Sequence, residues 1–204
     1  MGMYGLVAPV SDTTIQRIHA DPPLVLQILQ SDDPDAVARA RKPPKGPTLL
    51  GRLFGEKPPP PPPPAPPLAL AEGEGRIADL DKAWQGAHYL LTRSAWEGDP
   101  PLNFILAGGT ELDYDGPWNS APRTLTSAET REIAAALTQL SDDDLRRRFD
   151  PAEMMKLEIY PEIWDRESDG NEDPIGYVMS AIEDVRETVS EAARRGWGLL
   201  VSVD

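Results

Sequence analysis

The run of prolines from Pro58 to Pro64 constrains this chain more than any other feature. Proline fixes φ and has no backbone donor, so the run cannot enter a sheet or a helix interior and is expected as a solvated polyproline II rod. The text around it, from Asp35 to Glu74, shows no sustained hydrophobic period. Residues 35–74 are therefore expected to be a proline-rich, disordered low-complexity insertion, with 1–34 and 75–204 forming one domain. The 23 prolines among 204 residues support that division, because one compact domain has no use for so many. Inside the insertion, "TLLGRLFGEK" gathers Leu49, Leu50, Leu53 and Phe54. It reads either as a sticky stretch that tacks the insertion to the domain or as a motif that forms a helical turn on a partner.

The formal net charge is −14. The insertion also holds Arg39, Arg41, Lys42, Lys45, Arg52 and Lys57, so the rest is more acidic than the whole. This balance excludes nucleic-acid phosphates and anionic membrane surfaces as main partners, since Lys and Arg drive binding to both. A basic protein or a cationic ligand fits instead. With no cysteine, disulfides, thiolate zinc sites and cysteine nucleophiles are ruled out. "MGMYGLVAPVSD" lacks the basic and apolar regions of a signal peptide, and no stretch has the length and apolarity of a membrane span, so a cytoplasmic protein is expected.

On either side of the insertion the pattern is that of an α+β domain: several amphipathic helices packed on a small sheet. "YGLVAPV" and "GLLVSVD", at the two ends, read as strands of that sheet. Ser11 opens a first helix, and Asp21 with Pro22 opens "PPLVLQILQ". Thr126 and Glu129 form a capping box before "REIAAALTQL", and Asp150 with Pro151 starts "AEMMKL". Ile175, Val178, Met179, Ile182, Val185 and Val189 mark the buried stripe of a last helix that Gly196 stops. "DLDKAWQGAHYLLT" reads as a helix with Ile77, Leu80, Trp84, Ala87 and Leu91 along one stripe and His88 at its border, half-buried.

These segments, with "MGMYG", the "LAGG" of Leu106 to Gly109 and "LRRRFDPAEMMKLEIYPEIWD", stand in the order seen in the YfbM-like bacterial family, which the chain resembles outside the insertion. The family is one of domains of unknown function. The resemblance implies a shared compact α+β fold and carries no activity, cofactor or catalytic residue with it.

Common catalytic templates are missing. "GEGRIA", Gly73 to Ala78, fits a loose dinucleotide fingerprint but follows a linker instead of a strand. "DGNED", Asp169 to Asp173, starts like a calcium loop yet has Pro174 and Ser180 where glycine and glutamate are needed. "DYDG", Asp113 to Gly116, reads as a turn. No metal or cofactor is expected. The remaining candidate pocket or interface comprises His88, Trp84, Glu158, Tyr160, Glu162 and Trp164. Aromatics and acids around Pro161 can grip a cationic group, or the rings can simply plug the core while the acids face water.

Two functions stand. One is an acidic protein-binding module, an antitoxin or immunity-type partner of a basic protein. The other is a small enzyme or ligand-binding protein whose pocket lies near His88 and the Tyr160–Trp164 loop, which requires a carboxylate within hydrogen-bond reach of the imidazole.

Overall fold

The computed structural model describes residues 2–33, 35–41, 66–114, 116, 120–166 and 173–204. The proline run, the Leu49–Phe54 patch and most of "DGNED" and part of "DYDG" lie outside them. The two ends of the chain form β1 (Gly5–Val10) and β5 (Gly198–Val203), which pair at the centre of an antiparallel sheet. Short strands β2 (Ala78–Asp79), β3 (Thr110–Glu111) and β4 (Arg123–Leu125) complete a five-stranded sheet in the order β2-β1-β5-β4-β3.

The central strands are apolar on both faces because helices cover both. Val7, Leu199 and Val201 point into a large core, while Ala8, Val10 and Leu200, one residue out of step, point into a smaller one. The smaller core is filled from α1 (Asp12–Ala20), a 3-10 turn at Pro22–Val25 and α2 (Leu26–Leu29), with α3 (Ala36–Ala40) following. Against the other face pack α4 (Trp84–Thr92), α5 (Ser127–Leu137), α6 (Asp142–Arg148), α7 (Pro151–Lys156) and α8 (Pro174–Arg195). The fold is α+β, with the terminal strands inside the sheet, as expected.

Most helix boundaries follow local chemistry. Ser11 accepts from the Thr14 N–H at 3.2 Å, Thr126 and Glu129 cap each other's backbone, and Asp150 accepts from the Glu153 N–H. Gly196, at φ 69°, ends α8 in the left-handed conformation that glycine adopts without a Cβ clash, and the chain enters β5 two residues later.

Three places depart from the sequence reading. The helix expected from Ile77 onward begins as β2, because Ala78 pairs with Val7, and passes through a 3-10 turn at Asp81–Ala83 before α4 starts at Trp84. His88 is not half-buried; it is 0% exposed, because the chain after α4 folds back over that face. Both described ends of the stretch assigned to the insertion are built into the domain. Arg41 pairs with Asp21 at 2.6 Å, Arg17 donates to the carbonyls of Pro66 and Pro67, and the Leu68 N–H donates to Gln27. Glu74 is buried and binds the N–H groups of Ser11 and Ala71, tying the returning chain to the start of α1.

Candidate functional site

The site grows from one face of α4. Gln85, His88 and Thr92 lie three and four residues apart, so they line up along the helix. Arg93, in the left-handed region at φ 63°, turns the chain back over them. Gln85 Nε2 then donates to the Ala95 carbonyl at 3.0 Å, His88 Nε2 to the Glu97 carbonyl at 2.7 Å, and Thr92 Oγ1 accepts from the Ser94 N–H at 3.2 Å. Ser94 Oγ takes the Glu97 N–H, and Asn103 holds the Gly98 carbonyl. The loop 94–98 is thereby fixed at almost every residue. Its apex is Trp96, an indole left 60% exposed.

A carbonyl cannot donate, so the His88 bond places the ring proton on Nε2. Nδ1 is then a bare lone pair in the core, with no partner among the described residues. Burial, with the Arg123 charge nearby, holds the imidazole pKa below its ordinary value despite the favourable Glu97 carbonyl. The ring is a neutral strut for the loop.

Trp96 is the outer end of an aromatic row. Its ring centroid lies 6.2 Å from that of Trp84, which stacks on Tyr160 at 5.9 Å and 28°. Trp84 is 1% exposed and sits over Gly5 of β1, where any Cβ would collide with it. Tyr160 is fixed by its N–H donating to Gln85 Oε1 at 2.8 Å and by its hydroxyl, which accepts from the Met3 N–H. Gln85 thus ties the Trp96 loop and the Tyr160 loop to one helix position.

Beside Trp84 and Trp96 opens a groove of about 280 Å³. Met3, Ile105, Leu106, Val201 and Val203 make its apolar wall, with Glu111, Ser120 and Arg123 at its polar side. Arg123 is turned onto the backbone, donating to the carbonyls of Gly108, Ile105 and Phe104 at 2.8, 2.7 and 3.2 Å. Glu111, its cross-strand partner, is exposed, and its carboxylate enters no hydrogen bond or ion pair among the described residues.

The family model for DUF1877, a domain of unknown function, matches residues 1–202. The chain belongs to the DUF1877 family. Among solved structures it is similar to the crystal structure of YfbM from Escherichia coli, a protein of unknown function. The TM-score is 0.57 over 98% of this chain and 99% of that one, at 19% identity, which is a likeness of fold. No curated protein matches the sequence.

Within this DUF1877 domain the six residues singled out from sequence part company. Trp84 and Tyr160 meet. Trp164 is buried at 1% exposure, its Nε1 donating to the Ile159 carbonyl at 2.6 Å, and packs edge-on against Phe149. Glu158 and Glu162 both face water, at φ 53° and 58°, in the left-handed region that side chains rarely adopt. Neither shares a hydrogen bond with His88. The sequence reading missed Trp96, Glu111 and Arg123; the only local signal was a tryptophan inside the polar text "RSAWEGD".

Other concavities offer less. A larger cleft between α8 and β2, about 530 Å³, is walled by Arg194 and Arg195, which pair with Glu191, and by Arg76. No group of three His, Cys, Asp or Glu among the described residues could hold a metal ion, and no described helix is long and apolar enough to cross a membrane.

Proposed function

We propose that this DUF1877 domain is a protein-binding module that engages a basic partner, antitoxin and immunity proteins being examples of the type, and that its contact surface centres on Trp96. The observation that carries the reading is the pairing of a 60% exposed indole with a loop held rigid by buried side chains. Exposed tryptophans are uncommon on soluble surfaces and dominate many interfaces. A pre-fixed loop loses little entropy on association. The acids nearby, Glu97 and Asp99 just after Trp96 in the chain and Glu111 in the groove lining, are all exposed and match a cationic partner.

The test is affinity capture from the native host with the full chain and its Trp96→Ala and Glu97→Gln/Asp99→Asn variants. One stoichiometric basic protein, lost with Trp96→Ala and released as salt rises, is the expected result. Equal capture by wild type and Trp96→Ala moves the interface elsewhere, and capture that salt does not weaken removes the electrostatic half of the reading.

A further inference from the structure

We infer that the groove beside Trp96 seats a single long cationic side chain, an arginine or a lysine, projecting from an extended segment of the partner protein; this rests on the protein-binding reading above. Size is the first argument. At about 280 Å³ the groove falls below the roughly 300–1,000 Å³ typical of pockets for drug-sized ligands, yet it suits one side chain with its methylenes.

Chemistry is the second. Arginine and lysine need an apolar wall for the stem and a charged or aromatic seat for the head. The groove has both: Met3, Leu106 and Val203 for the stem, the Trp96 indole and the Glu111 carboxylate for the head. Glu111 is exposed and makes no close ion pair among the described residues, although its charge acts on Arg123 across the β3–β4 pair.

Charge decides between a cationic and an anionic visitor. Arg123 lines the same groove and on its own would call for a carboxylate. Three of its donors are already spent on the Phe104, Ile105 and Gly108 carbonyls, whose oxygens offset its charge. What remains in the groove lining is the exposed Glu111 carboxylate, and the exposed Glu97 and Asp99 follow Trp96 in the chain. An incoming guanidinium then gains a cation–π contact with Trp96 and an ion pair with Glu111.

The experiment uses the full chain and fluorescein-labelled peptides Gly-Gly-Xaa-Gly-Gly, with Xaa arginine, lysine, citrulline or glutamate. Citrulline keeps arginine's shape without its charge. Anisotropy gives affinity, and the Trp96 indole N–H signal reports where the peptide sits. The arginine and lysine peptides are expected to bind and to shift that signal, with citrulline about tenfold weaker for want of the cation–π contact and the ion pair. Glu111→Gln should cost arginine a similar factor and leave citrulline unchanged, while Trp96→Ala should abolish arginine binding. Both positions are exposed, and circular dichroism checks that each variant is folded.

Equal binding of citrulline overturns the inference in favour of an apolar site, and preferred binding of glutamate overturns it in favour of Arg123 as an anion receptor. A change in the Trp96 signal on Lys57→Glu without peptide would make the chain's own proline-rich segment the occupant instead. If a basic partner is captured through Trp96 but no cationic peptide binds, this inference fails alone. If peptides bind but no partner is captured, the protein-binding reading fails and the cation site stands.

Discussion

Helices α4 and α8 lie against each other in the same core, yet they were unequally visible in the sequence. Helix α8 has 22 residues, a solvent face carrying Glu183, Asp184, Glu187 and Ser190, and a buried stripe of Val178, Ile182, Val185 and Val189. Water on one side writes the helical period into the text. Helix α4 has nine residues, and all of them from Trp84 to Leu91 are buried. With no wet face, polarity in α4 no longer reports exposure. Gln85 and His88 are polar because they hold a loop, and that loop arrives from ten residues further along the chain.

The largest expected effect tests how much of the core each helix carries. Trp84→Ala removes the middle of the aromatic row and leaves a cavity over Gly5, at a cost of about 3–5 kcal/mol. Val185→Ala, equally buried on α8, loses two methyl groups and should cost about 1–3 kcal/mol. Urea unfolding at neutral pH measures both. If the two cost the same, Trp84 is only core filler and the aromatic row contributes nothing as a unit.

Next comes the strut. His88→Gln at pH 7.5 should cost about 1–3 kcal/mol, since the Glu97 carbonyl bond is disturbed in a buried setting. Amide exchange should quicken across residues 94–98 while α8 stays protected. The pH dependence has a definite sign. The folded pKa lies below the ordinary 6.5, so the fold favours the neutral ring, and the unfolded chain binds the proton first. Stability from this group is present above about pH 6.5 and falls as the pH drops toward the folded pKa, by at most about 1.4 kcal/mol per pH unit. His88→Gln should flatten that part of the stability profile. An unchanged profile would mean that folding leaves the imidazole pKa at its unfolded value.

What could be read in the sequence and what could not follow the same division. The caps at Ser11, Thr126 and Asp150, the terminal strands and the stripe of α8 rest on contacts within a few residues or on a wet and a dry face, and local text encodes both. The strut and the groove rest on long-range meetings: Met3 with Tyr160 and Trp84, and Gln85 with Tyr160. Periodicity places His88 at the edge of a stripe but cannot show the loop that covers it. Glu74 fell inside a low-complexity stretch by composition, although its carboxylate is the clamp that closes the smaller core.

That clamp sets a smaller effect with its own pH window. Burial pushes the Glu74 carboxyl up, but the Thr14 hydroxyl and the Ala71 and Ser11 N–H groups outweigh it and hold the pKa below 4.5. The stabilisation is therefore complete above about pH 4.5 and is lost as pH falls through the lower folded value. Glu74→Gln should cost about 1–2 kcal/mol at pH 7 and progressively less as the pH falls below 4.5 through the folded value. Because His88 acts near 6.5 and Glu74 below 4.5, acid titration of the two single variants separates the strut from the clamp. A Glu74→Gln penalty that does not shrink as the pH falls below 4.5 would show that shape, not charge, makes the clamp.

The smallest expected change in stability is also the sharpest comparison. Trp96 is large and aromatic like Trp84, and their rings are in contact, but one is 60% exposed and the other 1%. Burial, not residue type, sets the energetic worth of a side chain. Trp96→Ala should therefore stay within about 1 kcal/mol of wild type, close to Glu183→Ala on the wet face of α8, which should change stability by less than about 0.5 kcal/mol. The loop keeps its hydrogen bonds because they all come from the backbone of residues 94–98 and not from the indole. Denaturant midpoints and partner capture then give opposite answers for the two tryptophans. Losing Trp84 lowers the midpoint sharply, whereas losing Trp96 leaves it nearly unchanged and abolishes binding. If Trp96→Ala instead destabilises by several kcal/mol, the indole is a lid over Trp84 and its exposure has nothing to do with a partner.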